Sequence, residues 1–140
     1  MVPLRPSFTD ILSLIPLEKI KEFHPDIVVG IERGGLPVAG IISYWIGVPL
    51  MSVRASLYND DKPAKKVYDS PKVETRDANV LGRKVLLVDD VSNSGVTLSS
   101  VKDALVKQGA KNVNTFVLYG KSDFSETNFV KCIRFPWEPG

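Results

Sequence analysis

Several residue types and patterns are scarce in this sequence, and each scarcity excludes a class of protein. The single cysteine, Cys132, cannot form an internal disulfide, and with the single histidine, His24, it makes a structural zinc site untenable. The formal net charge is only +2, which argues against a general nucleic-acid binder. No apolar run is long enough to span a membrane, and the N-terminus lacks the apolar run of a signal peptide. We therefore expect a cytoplasmic protein without nucleic-acid or membrane partners.

Length and composition are those of one ordinary globular domain. The chain has 140 residues, of which 44% are hydrophobic and 24% are charged. These values exclude an intrinsically disordered chain, and the length is too small for two full domains. We expect residues 1–140 to form a single domain.

Apolar runs alternate between strand and helix character along the chain. Strands bounded by helices of this kind predict an α/β fold with a mostly parallel sheet flanked by helices, whose ligands bind at the carboxyl ends of the strands. A charged, proline-containing segment, 58–77, predicts a long mobile loop that acts as a lid. The other predicted elements are a helix over 9–23 broken at Pro16, strands at 27–31, 49–57, 84–89 and 113–119, helices at 36–46 and 96–108, and a short last strand around 130–133.

The segment VLLVDDVSNSGVTL, 85–98, carries the strongest chemical signal. An apolar strand ends in Asp89 and Asp90, and small and hydroxyl-bearing residues then lead into a helix. Backbone N–H groups at a helix start, with the Ser94 and Thr97 hydroxyls, suit a phosphate. Adjacent carboxylates suit a sugar diol or a magnesium ion. The pattern therefore predicts a ribose 5-phosphate site, and the alternative is a plain strand–turn–helix with solvated carboxylates.

A second glycine-containing turn, ERGG at 32–35, follows the first predicted strand. A guanidinium beside exposed amides suits pyrophosphate, whereas the alternative is a turn with a surface arginine. The turn lacks the GxGxxG spacing of dinucleotide-binding proteins, and no GxxxxGK[ST] motif occurs in the chain.

These motifs together resemble the type I phosphoribosyltransferases, because DDVSNSGVT is similar to the family's motif for phosphoribosyl pyrophosphate (PRPP). ERGGLPVAG resembles the family's pyrophosphate loop, RASLY its second strand, and IRFPWE the C-terminal segment of small xanthine-guanine and hypoxanthine-guanine enzymes. The resemblance implies a Mg²⁺-dependent homodimer with a hood of N- and C-terminal segments, which joins PRPP to a 6-oxopurine base. It also implies a cis peptide at Glu32–Arg33.

Site roles follow from the resemblance residue by residue. The resemblance implies that Asp89 and Asp90 are catalytic residues that orient the ribose, and that Asn93 is a catalytic residue beside the base. The remaining assignments are a 5-phosphate loop of Val91, Ser92, Asn93, Ser94, Gly95, Val96 and Thr97, pyrophosphate contacts at Arg33, Gly34, Gly35 and Arg54, base contacts at Lys121, Cys132 and Ile133, and metal contacts at Asp90 and Glu138.

Three positions depart from the family pattern. Asn93 replaces an aspartate that accepts a proton from the purine, and an amide is not a base. Cys132 replaces a stacking aromatic, for which Phe129, Phe135 and Trp137 are possible substitutes, and Leu57 replaces a lid serine.

These departures keep two other functions open. One is a transferase for adenine or a pyrimidine, and the other is a PRPP- or nucleotide-binding regulator with weak catalysis. Family regulators usually carry an added DNA-binding domain, for which we expect no room in 140 residues.

Overall fold

The computed structural model describes residues 2–56, 72–75 and 79–139. The described helices are α1 (Phe8–Leu14), α2 (Leu17–Phe23), α3 (Leu36–Ile46) and α4 (Val96–Lys107). The described strands are β1 (Ile27–Glu32), β2 (Leu50–Ser56), β3 (Lys72–Glu74), β4 (Lys84–Val91), β5 (Asn112–Tyr119), β6 (Lys121–Ser122) and β7 (Ser125–Glu126).

A five-stranded sheet in the order β3-β2-β1-β4-β5 forms the centre of the fold. Strands β2, β1, β4 and β5 run parallel, and β3 is the antiparallel edge strand. The predicted mostly parallel sheet flanked by helices is therefore confirmed. Since parallel strands end at the same edge, the turns after β1, β4 and β5 lie along one side of the sheet.

Helices cover the two faces of this sheet unequally. Helix α4 packs on one face through Leu98, Val101 and Leu105. On the other face, α1, α2 and α3 pack against inward-facing residues of the strands such as Val28 and Leu86. Strands β1, β4 and β5 are thus buried on both sides, which explains their continuous apolar runs.

The N- and C-terminal segments meet beside this second face. The N–H of Leu4 donates to the Cys132 carbonyl (3.0 Å), and the N–H of Arg134 donates to the Leu4 carbonyl (2.8 Å). Pro16 separates α1 from α2, as the broken helix predicted. The predicted last strand around 130–133 is wrong, because Ile133 forms only an isolated bridge with Leu4.

The predicted lid lies largely outside the described residues. Its described part differs from the prediction, because Lys72–Glu74 is not a loop but the strand β3, paired with β2 from Arg54 to Ser56. Among the described helices, none combines the length and apolarity that crossing a bilayer requires.

Candidate active site

The turns at the carboxyl ends of β1 and β4 approach each other so closely that only glycine fits between them. A Cβ built on Gly35 would overlap the backbone of Val88 and Asp89 in β4, and one built on Gly34 would overlap the carboxylate of Asp90. The turn after β1 therefore lies directly against the acidic pair at the end of β4. The sequence motifs ERGG and DDVSNSGVT consequently form one site rather than two.

A second close approach joins the end of β5 to the loop that follows β4. The N–H of Ser92 donates to the Tyr119 carbonyl (3.0 Å), and a Cβ on Gly120 would overlap the Ser92 backbone. Gly120 also has φ of 126°, a conformation that favours glycine. Lys121 is thereby placed beside the loop that begins at Ser92.

The two carboxylates of the acidic pair are held by their own backbone. The N–H of Asp90 donates to Oδ1 of Asp89 (2.8 Å), and the N–H of Val91 donates to Oδ1 of Asp90 (2.7 Å). Burial, together with the charge of Asp90, raises the pKa of Asp89 well above its usual range. The site therefore concentrates negative charge that a cation or hydroxyl donors would stabilise.

Helix α4 presents its N-terminus to the loop at 92–95. Gly95 precedes the helix with φ of 82° and offers no side-chain cap, and the first turn contains no acidic residue. Only a long bond joins the Val96 N–H to the Ser94 hydroxyl (3.3 Å). The helix dipole and the N–H groups of its first turn suit a phosphate at this position.

A cavity of about 330 Å³ lies at the ends of β1 and β2. Arg33 and Arg54 line it together with Glu32, Ala55 and Ser56. The Glu32–Arg33 peptide bond is cis, as the family resemblance implied. Two guanidinium groups around one cavity suit a polyvalent anion such as pyrophosphate.

A second cavity, of about 310 Å³, separates the loop after β4 from the chain that follows β5. Asn93, Lys121 and Phe129 all line it; the full lining is Ser92, Asn93, Ser94, Gly95, Gly120, Lys121, Thr127, Asn128 and Phe129. We call it the base-side cavity.

Several predicted contacts are not brought into these cavities. Cys132 and Ile133 do not line the base-side cavity; Ile133 packs on the core beside α1–α3. Glu138 pairs with Arg134 (3.7 Å), and no contact among the described residues joins it to Asp90. The metal role of Glu138 stays a prediction.

Besides Gly120, sequence reasoning missed two residues of the base-side cavity, Thr127 and Asn128. They belong to a short polar stretch after β7 in which no motif or periodicity marks a site. Only the path of the chain back toward Gly120 reveals them, since the N–H of Gly120 donates to the Thr127 hydroxyl (3.1 Å).

Comparison with known proteins links this geometry to one family. The family model described as the phosphoribosyl transferase domain matches residues 11–136. The crystal structure of a purine phosphoribosyltransferase from Pyrococcus horikoshii superposes with a TM-score of 0.81 at 27% identity, over 100% of this chain and 97% of that one.

Curated relatives carry different base names. An orotate phosphoribosyltransferase of Sulfurisphaera tokodaii is 34% identical over 110 residues, 79% of this chain and 51% of that protein. A hypoxanthine/guanine phosphoribosyltransferase of Methanobrevibacter ruminantium is 31% identical over 124 residues, 86% of this chain and 65% of that protein. The chain thus spans about half of the first relative's length and under two thirds of the second's.

Proposed function

This chain belongs to the phosphoribosyl transferase domain family, and we propose that it makes purine nucleotides from PRPP. The acceptor is a 6-oxopurine base (hypoxanthine, guanine or xanthine), and the products are the nucleoside 5′-monophosphate and pyrophosphate. The supporting observation is the base-side cavity, which a cationic donor, Lys121, lines together with Asn93 of the phosphate loop. We propose that the protein acts as a cytoplasmic homodimer with these small molecules as its substrates.

The reaction exchanges one bond at C1 of the ribose for another. A ring nitrogen of the purine bonds to C1 while the C1–oxygen bond to pyrophosphate breaks, and the bonding electrons leave with pyrophosphate. Asp89 and Asp90 orient the ribose hydroxyls, and loop 91–97 binds the 5-phosphate. Arg33 and Arg54 stabilise charge on the leaving pyrophosphate. Asn93 accepts a hydrogen bond from the purine N–H through its amide oxygen, and that proton leaves to water.

The acidic pair fits the Mg²⁺ that the family implies. Each carboxylate accepts one backbone N–H through Oδ1, and the two carboxyl groups also interact with each other, so one cation could contact both. Mg²⁺ is usually bound by one or two carboxylates, with waters and substrate oxygens completing its coordination. When bound, the ion would neutralise charge on pyrophosphate; Glu138 remains a proposed additional contact.

The test is turnover with PRPP, Mg²⁺ and a panel of hypoxanthine, guanine, xanthine, adenine, uracil and orotate. We expect the three 6-oxopurines to react. Lys121→Ala should raise KM for these bases about 10- to 100-fold, the loss expected for one charged hydrogen bond, with little change in KM for PRPP. Lys107→Ala, at the far end of α4, is the matched control. Turnover restricted to adenine or to a pyrimidine would refute the proposed base.

A second candidate is a different base, and Asn93 is the observation that favours it. An asparagine amide donates to an unprotonated ring nitrogen as readily as it accepts from a protonated one. The orotate name of one relative shows that the family's bases vary. A PRPP- or nucleotide-binding regulator is distinguished by tight nucleotide binding without turnover on any member of the panel.

A further inference from the structure

Phe129 has the exposure that a ligand-contacting ring requires. Its side chain lines the base-side cavity and is 39% exposed. Among the residues that the structure describes, it makes no ring-to-ring contact. The ring is therefore partly open to a ligand in the cavity and is not committed to another aromatic ring among the described residues.

The other two aromatic candidates are engaged with each other. Phe135 is buried and stacks on Trp137, with ring centroids 4.8 Å apart and an interplanar angle of 4°. Trp137 also meets Phe8 (6.4 Å), and Phe135 meets Tyr119 (6.2 Å). These rings pack the junction of the N- and C-terminal segments, and neither of them lines the base-side cavity.

Thr127 holds the chain two residues before Phe129. Its hydroxyl accepts from the Gly120 N–H (3.1 Å) and donates to the Leu118 carbonyl (2.8 Å). The same residue thus ties the segment that carries Phe129 to the turn that carries Lys121. Phe129 and Lys121 thus line one cavity, which Asn93 also lines.

From this geometry we infer that Phe129 is the aromatic surface on which the base stacks, and that position 132 does not supply it. The inference rests on the proposed function for the identity of the base. Stacking holds the ring plane, while Lys121 and Asn93 contact polar atoms at its edge. Every purine or pyrimidine has a face that an aromatic ring can contact, so Phe129 contributes affinity and the polar groups contribute selectivity.

Equilibrium binding tests this inference without turnover. Calorimetry compares inosine 5′-monophosphate with ribose 5-phosphate, which share the phosphoribosyl group and differ by the base. Phe129→Ala should weaken binding of the nucleotide by roughly 5- to 100-fold and leave ribose 5-phosphate unchanged. Phe129→Tyr retains the ring and should bind like the wild type. Phe8→Leu, an exposed aromatic outside the cavity, is the control for both ligands.

The outcomes separate this inference from the proposed function. Equal loss of both ligands in Phe129→Ala, or a larger nucleotide-specific loss in Cys132→Ala, would overturn it. A wild type that binds the nucleotide no better than ribose 5-phosphate would also overturn it. A wild type without turnover, in which Phe129→Ala still loses only the nucleotide, would refute the transferase and leave the stacking role standing.

Discussion

At the scale of single residues, the ionised carboxylate of Asp89 is the form proposed to bind substrate, but it also lowers the stability of the free protein. Its raised pKa in the folded chain means that ionisation destabilises the fold as pH rises from the usual aspartate value through the raised one. Asp89→Asn removes that ionisation and keeps an oxygen for the Asp90 N–H. Without Mg²⁺ or PRPP, the variant should gain stability over the wild type across that range, with no gain in stronger acid.

Urea denaturation at a series of pH values measures this gain, and Asp10→Asn is a control of opposite sign. Hydrogen bonds from Ser7 lower the pKa of Asp10, so its ionised form stabilises the fold and the variant should lose stability above the usual aspartate pKa.

The acidic pair is also expected to be needed for turnover. The double variant Asp89→Asn, Asp90→Asn should abolish activity while the fold persists. A double variant with near wild-type kcat/KM would show that the acidic pair is not the PRPP site.

In the proposed reaction, Asn93 would determine how the proton of the base is handled. An aspartate at this position would act as a general base, an effect worth about 10²–10⁴-fold. We therefore expect the wild type to be slow for its class and Asn93→Asp to raise kcat with hypoxanthine. The increase should fade in acid as the new carboxylate is protonated. Steady-state kinetics with hypoxanthine and adenine provide the measurement. A fall in kcat for hypoxanthine would favour the alternative in which the enzyme acts on a different base.

At the scale of elements, the β6–β7 hairpin protects the edge strand β5 with side chains. The N–H and the hydroxyl of Thr115 both donate to Oδ2 of Asp123 (2.9 and 3.1 Å), and the N–H of Val117 donates to the Ser122 hydroxyl (3.2 Å). These side chains bind backbone N–H groups of the edge strand that no neighbouring strand among the described residues pairs. They also fix the hairpin from which Lys121 reaches the base-side cavity.

Asp123→Ala should therefore destabilise the protein more than its exposed position suggests. Thr115 is only 5% exposed, and an unsatisfied buried donor costs about 1–3 kcal/mol. Urea denaturation should show a loss of this size. Glu126→Ala, on the second strand of the same hairpin, should leave the free energy of unfolding nearly unchanged. Similar losses in the two variants would mean that the Thr115 contact is not the source.

At the scale of the whole molecule, an exposed apolar patch beside α3 supports the proposed homodimer. Tyr44 is 86% exposed and Leu50 is 42% exposed. Gly40, one helical turn before Tyr44, lies against Leu50, so these residues occupy one side of the molecule. Exposed apolar surface of this kind is typical of an interface.

Tyr44→Glu should shift the protein from dimer to monomer in sedimentation experiments, because it would bury a charge in that interface. Val106→Glu is the matched control, since Val106 is 51% exposed on α4, which packs on the opposite face of the sheet. A wild type that sediments as a monomer, or a dimer that survives Tyr44→Glu, would contradict this choice of interface.

Local sequence patterns determined the class of fold and the position of the site along the chain. The strand predicted at 27–31 and the helix predicted at 36–46 agree with β1 and α3, because a short β-branched run is typical of a buried strand and a longer apolar segment is typical of a buried helix. The glycine-flanked motifs at 32–35 and 89–97 were identifiable because their chemistry is carried by consecutive residues. The alternation of elements then placed both motifs at one edge of the sheet.

Tertiary structure alone decided which residues meet across that edge. Strand β3 is short and polar and exists through its pairing with β2, which is distant in sequence. The β6–β7 hairpin has only two residues in each strand and is held against β5 by side-chain bonds such as that of Asp123 to Thr115, so no local pattern encodes either element. The same reason explains the wrong strand at 130–133, where Ile133 depends on Leu4 for its single bridge. Whether position 129 or 132 faces Lys121 depends on the path of the chain after β7, because a Thr127 hydrogen bond returns that path to Gly120.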